Sequence, residues 1–207
     1  MDMNDLLRMI AADLFKIGAI KFGAFKLKLH EKHPDAPLSP IYIDLRVLRS
    51  HPTSLNMVVS ALIEASADID YDLIADIPIS VSPIVAVFSH KSGIPMITPR
   101  LTVKERGTRA SVLGDFEAGQ TVLLIDDLIT KADSKLEAIQ ILEEKGLVIK
   151  DVLVLIDREQ GGKDQLAERE YSLHSVFTLP QLMKHYLDTE KIDQTRYDEV
   201  ITYLAKN

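Results

Sequence analysis

Apolar residues along the chain recur with two periods, and the switches between them mark its elements. From Met3 to Ile17 they fall at Leu6, Leu7, Ile10, Leu14 and Ile17, one face of a helix with Asp2 or Asn4 as N-cap and Gly18 as its stop. From Ile20 to Leu29 apolar and basic residues partly alternate, as in a hairpin or an edge strand. His30 to Pro40 carries three prolines and two histidines without a period and predicts a loop, and Ser39 to Arg46 returns to strand-like alternation. A second helix is expected from Thr53 to Asp68, opened by Pro52. Beyond it the pattern predicts strands over 73–77, 96–98, 121–125, 151–156 and 173–177 and helices over 83–90, 134–145 and 163–170, with two amphipathic helices, 179–187 and 193–204, at the tail. Strand and helix in alternation mean an α/β fold with a mostly parallel sheet flanked by helices.

One stretch carries candidate chemistry. Thr121 to Ile125 reads as a buried parallel strand ending in two acids, Asp126 and Asp127, followed by a polar turn and a helix with Ser134 and Glu137 spaced as a capping box. In an open α/β sheet the ligand crevice lies beyond the carboxyl ends of the strands, where the next helix presents free N–H groups. Two carboxylates there suit a pair of sugar hydroxyls or Mg²⁺, and Thr130 and Ser134 suit a phosphate. A strand that merely ends in solvated aspartates, with Ser134 as a plain helix cap, fits the stretch alone equally well. The long polar segment between Pro99 and Gly119 has no period and predicts a lid or a disordered loop.

Composition narrows the class. The chain has 207 residues, 46% of them hydrophobic and 27% charged, with no linker dividing it, so one globular domain is expected, residues 1–50 being a small N-terminal addition to a sheet core over 51–207. A net charge of −7 argues against nucleic acid as a partner. The absence of cysteine excludes disulfides and thiolate metal sites. No basic leader and no membrane-length apolar run is present, so a cytoplasmic protein is expected.

Several separated segments together resemble the orotate phosphoribosyltransferase family, being similar to the transferase domain of UMP synthase. They are Gly18-Ala-Ile-Lys-Phe-Gly23, Ser39-Pro-Ile-Tyr-Ile-Asp-Leu-Arg46, Leu124-Ile-Asp-Asp-Leu-Ile-Thr130, Asp157-Arg-Glu-Gln-Gly-Gly-Lys-Asp164 and Leu173-His-Ser-Val176. The resemblance implies a type I phosphoribosyltransferase fold with an N-terminal hood, a homodimer, and transfer from 5-phosphoribosyl-1-pyrophosphate to orotate with Mg²⁺, giving orotidine 5'-monophosphate in pyrimidine (UMP) biosynthesis. A decarboxylase partner would follow. By position in the motifs, Asp126 and Asp127 would hold the ribose hydroxyls, and Thr130 to Ser134 the 5-phosphate. Lys28, Tyr42 and Arg158 would line the orotate pocket, while Arg100 and Lys104 would close on pyrophosphate, Lys104 acting with the acids in catalysis. Taken singly, Arg158 between two acids also reads as a surface ion pair, Tyr42 as sheet packing and Lys104 as part of a solvated loop.

The chain departs from the family's pattern in three phosphate-contacting regions. The turn Thr-x-Gly-x-Ser becomes Thr130-Lys131-Ala132-Asp133-Ser134, which loses a glycine suited to a left-handed turn and adds an acid beside the expected phosphate. After Leu73-Ile74-Ala75, Asp76 and Ile79 replace the usual Gly and Tyr, and in the mobile loop Leu101 replaces a lysine and Arg106 a His or Tyr. His30 to Leu38 reads as an insertion beside the hood. Two readings result: an active transferase, its donor site rescued by Lys131 and Arg106, or a weak or inactive paralogue that binds ligand or assists regulation or assembly. A hydrolase or phosphoacceptor using Asp126 is disfavoured, because adjacent strand residues point to opposite sides.

Overall fold

The computed structural model describes residues 5–27, 30, 34–100 and 111–206. Lys28, Leu101, Lys104, Arg106 and the two proposed N-caps, Asp2 and Asn4, lie outside them, as does part of the His30–Leu38 insertion.

The first helix, α1 (Asp5–Lys16), buries Ile10, Ala11 and Leu14, close to the face its spacing predicts. A hairpin follows, β1 (Ile20–Phe25) antiparallel to β2 (Ser39–Ile43), with Lys21 opposite Tyr42. After a 3-10 turn at Leu45–Ser50 come α2 (Pro52–Ala65), β3 (Leu73–Asp76), α3 (Ser82–Ser92), β4 (Met96–Pro99) and the two-residue β5 (Val112–Leu113). The chain continues with β6 (Thr121–Ile129), α4 (Asp133–Glu143), β7 (Val148–Asp157), α5 (Gly162–Ala167), β8 (Ser172–Thr178), α6 (Leu179–Asp188) and α7 (Gln194–Lys206).

The main sheet runs β5-β4-β3-β6-β7-β8, parallel throughout except for the antiparallel edge pair β4–β5. Its central strands are apolar on both faces because both are covered. Leu123, Ile125, Leu153 and Leu155 face one core shared with α1, the hairpin, α2, α3, α6 and α7. Val122, Leu124, Val152 and Val154 face the other, shared with Ala138, Ile139 and Leu142 of α4 and Leu166 of α5. Burying each such side chain contributes roughly 1.5–3 kcal/mol, so the two-sided strand is the dominant stabilising element. The Tyr186 hydroxyl, fully buried, donates to the Ala11 carbonyl at 2.8 Å and ties α6 to α1.

Two local expectations are overturned. Strand β6 does not stop at Ile125: it stays paired with β7 through Asp126↔Val154, Leu128↔Ile156 and Ile129↔Asp157, so the acids lie inside the strand. The ladder supplies backbone partners there, which outweighs the poor strand propensity of aspartate. The longer strand leaves only three residues for the turn, and α4 begins at Asp133, with Ala132 in the capping position and no side-chain cap. The Ser134–Glu137 capping box therefore does not form. The box that does form joins Thr178 and Gln181 at the start of α6.

Candidate active site

The site is built where β3, β6 and β7 end side by side. Asp76 closes β3 and is fully buried, with its carboxylate accepting hydroxyl hydrogen bonds from Ser82 and Thr98. It therefore faces inward and puts no charge into the following turn, contrary to the expectation from sequence. That turn contains a cis peptide bond at Pro78–Ile79 and exposes Ile79, while Ser80 Oγ donates to Asp127 Oδ2 at 2.8 Å.

The acid pair on β6 splits in two directions, as alternation requires. Asp126 is buried: its Oδ2 lies 2.5 Å from the Lys135 ammonium, and its Oδ1 accepts the Asp127 backbone N–H at 2.8 Å. Burial pushes its carboxyl up to about 7, with the Lys135 charge pulling against that and neighbouring Asp127 reinforcing it. Asp127 is half-buried, and its Oδ1 accepts the Leu128 N–H at 2.8 Å. Lys135, which also donates to the Leu128 carbonyl at 2.7 Å, was not singled out from sequence. Its signal was present: it shares the inward stripe of α4 with Ala138, Ile139 and Leu142, a lysine where helical spacing calls for an apolar residue.

The phosphate turn differs from expectation in both altered residues. Ala132 sits at φ −90°, outside the left-handed region, so the missing glycine costs no backbone strain. Ala132 is buried, and its N–H donates to Gln165 Oε1 at 2.8 Å. Asp133 is exposed in the first turn of α4, where a negative charge favours the helix. Lys131 is exposed, and its Nζ would stand 3.1 Å from a Cβ placed on Gly161, so it leans over the start of α5. Thr130 and Ser134, half-buried, flank the turn.

Arg158 follows β7 directly, its backbone N–H bound to the Ile129 carbonyl at 3.0 Å. Its side chain is 4% exposed, and Nε and Nη2 have no hydrogen-bond partner among the described residues. Burial lowers its pKa, with Tyr203 acting in the opposite direction. A surface ion pair is excluded by that burial. Gln160 Oε1 is likewise buried and without a partner among the described residues. On the hairpin, Tyr42 accepts a hydrogen bond from Arg46 Nη2 at 3.1 Å and packs against Phe25 at 5.5 Å between ring centroids. It makes no hydrogen bond to another candidate residue among those described. Arg100 follows β4, half-buried, and its backbone N–H donates to the Ser111 carbonyl at 2.8 Å. The structure thus joins Asp126, Asp127, Ser80 and Lys135 by direct contact and sets Arg158 on the adjacent strand end.

Among the described residues no group of three histidine or acidic side chains is placed to hold a metal ion, and no helix is long and apolar enough to cross a membrane. No protein-family model matches the chain. It is 36% identical over 173 residues to orotate phosphoribosyltransferase of Methanopyrus kandleri, covering 84% of this chain and 90% of that protein. It is 33% identical over 204 residues to uridine 5'-monophosphate synthase of Bos taurus, covering 98% of this chain but 41% of that protein. The solved structure of Leishmania donovani UMP synthase superposes with a TM-score of 0.85 at 30% identity, covering 97% of this chain and 42% of that one. The α/β architecture with its mostly parallel sheet and flanking helices is accordingly the type I phosphoribosyltransferase fold, and this chain belongs to the orotate phosphoribosyltransferase family.

Proposed function

We propose that this chain joins orotate to 5-phosphoribosyl-1-pyrophosphate, releasing pyrophosphate and orotidine 5'-monophosphate, a step of pyrimidine biosynthesis. The observation that carries the reading is the buried Arg158 guanidinium, whose Nε and Nη2 form one edge of the fork and lack partners among the described residues. A buried cation with an unmatched edge is costly unless a planar anion meets it, and a carboxylate on the base matches it with two parallel charge-assisted hydrogen bonds. Lys28 and Tyr42 complete the orotate pocket in this reading.

Asp127, with Asp126 behind it, receives the ribose hydroxyls and stabilises positive charge developing at C1. Thr130, Lys131 and Ser134 receive the 5-phosphate at the mouth of α4, and Arg100, Lys104 and Arg106 receive pyrophosphate. The family's Mg²⁺ would arrive with the donor's pyrophosphate and not be ligated directly by the chain, both oxygens of Asp126 being already engaged. Bound there, it would neutralise charge on the leaving group. A single domain over 1–207, a homodimer, a cytoplasmic setting and a decarboxylase consuming the product belong to the same proposal.

The inactive-paralogue reading rests on two acids entering the donor site and on the lysine lost as Leu101; Leu101 lies outside the described residues, and the first ground weakens because Asp76 turns into the core and Asp133 stands exposed beside Lys131. The deciding experiment is calorimetric titration with the donor plus Mg²⁺ and, separately, with orotate, followed by assay of pyrophosphate release. Turnover with donor affinity tighter than about millimolar supports the transferase; orotate binding with neither overturns it.

A further inference from the structure

We infer that Lys135 is a positioning residue for the acid pair, fixing the Asp126 carboxyl so that two adjacent acids can share one strand end. The inference deepens the transferase reading and rests on it for the identity of the ligand.

Lys135 is 4% exposed on the inward face of α4, where an unpaired ammonium would cost several kcal/mol. Among the described residues it has two partners, both from β6: Asp126 Oδ2 at 2.5 Å and the Leu128 carbonyl at 2.7 Å. The second contact matters as much as the first. It pins the ammonium between side chain and strand backbone, so its direction does not depend on Asp126 alone. Asp126 Oδ1 is held in turn by the Asp127 N–H at 2.8 Å, and both of its oxygens are therefore committed. Asp127 keeps the more adaptable setting: among the described residues its Oδ2 takes only the Ser80 hydroxyl, which a sugar hydroxyl can replace like for like.

The charged groups acting on Asp126 are Lys135 from α4 and Asp127 on its own strand. Two adjacent carboxylates repel each other unless one meets a counter-charge. Lys135 supplies it from beneath the strand, on the side away from Asp127. In this arrangement Asp126 sets the field and the geometry, and Asp127 meets the ligand.

The test is a carbon-13 NMR titration of aspartate carboxyls in the full chain, with Asp126→Asn used for assignment, comparing wild type and Lys135→Met. The Asp126 midpoint is expected to rise by at least about one unit in the variant, a tenfold change in proton affinity. The acid limb of the kcat/KM profile should move with it, while KM for orotate stays unchanged. An unmoved Asp126 midpoint in folded Lys135→Met overturns the inference whatever the activity. Should that variant not fold, nitrogen-15 observation of lysine in the wild type decides: a slowly exchanging Lys135 Nζ that responds to Asp126 titration supports the inference, and exchange at the solvent rate overturns it. A wild type with no transferase activity defeats the functional reading and leaves both NMR outcomes in force.

Discussion

Ser80 Oγ lies 2.8 Å from Asp127 Oδ2, so the turn after β3 is fastened to the half-buried member of the acid pair on β6. On the proposed transferase reading, this hydroxyl orients the carboxylate that meets the ribose hydroxyls. Ser80→Ala should cost about 1 kcal/mol of stability for the lost hydrogen bond. It should also raise KM for the ribosyl donor while leaving KM for orotate unchanged. Thermal unfolding and steady-state kinetics check the two effects separately.

Arg158 should show opposite signs in function and stability. Replacing it with Met removes a buried charge that lacks full pairing among the described residues, so the unliganded protein should gain about 1 kcal/mol or more. Orotate affinity should fall roughly 100-fold, from the loss of charge-assisted hydrogen bonds, with donor affinity held. Urea unfolding and calorimetry measure both, and a variant that loses stability and keeps orotate binding would remove Arg158 from the pocket.

Asp126 makes stability depend on pH in a defined direction. Its folded-state value, about 7, lies above the ordinary 3.8, so the folded protein binds the proton more tightly. The stabilisation is fully present below the unfolded value and is lost as pH rises through about 7. The unfolding free energy of wild type minus that of Asp126→Asn should therefore decline between those limits, by up to about 4 kcal/mol at 1.36 kcal/mol per unit. Denaturant titrations across that range give the slope, which must be negative.

The Ala132 amide is occupied by Gln165, a side chain from α5. In Gln165→Ala that amide loses its partner, which should cost about 1–3 kcal/mol in the free protein. An anion can then take its place, so inorganic phosphate should raise the melting temperature of the variant more than that of the wild type. Equal shifts would mean that the amide faces away from the phosphate.

Gly162 opens α5 beneath the same turn, and a Cβ there would meet Ile129 Cγ1 at 2.5 Å and the Thr130 carbonyl at 3.1 Å. Gly162→Ala should destabilise by about 1–3 kcal/mol through overpacking. Because the displaced atoms begin the phosphate turn, donor affinity should fall as well, and calorimetry with the donor reads that second effect.

The order of strands and helices was legible in the chain because periodicity is local: Thr121–Ile125, a short β-branched apolar run ahead of a helical pattern, needed no partner to be recognised as a strand. The candidate site was legible through motif likeness at Asp126, Asp127 and Arg158. What lay beyond reach was decided by contacts between distant residues. Pairing with β7 carried β6 on to Ile129, and hydroxyls from Ser82 and Thr98 drew Asp76 inward. Gln165 closed one amide of the turn, and the fold brought Lys135 under Asp126. Local pattern states which residues are apolar or charged, whereas burial and partnership determine what a charge does, and those exist only once strands and helices have met.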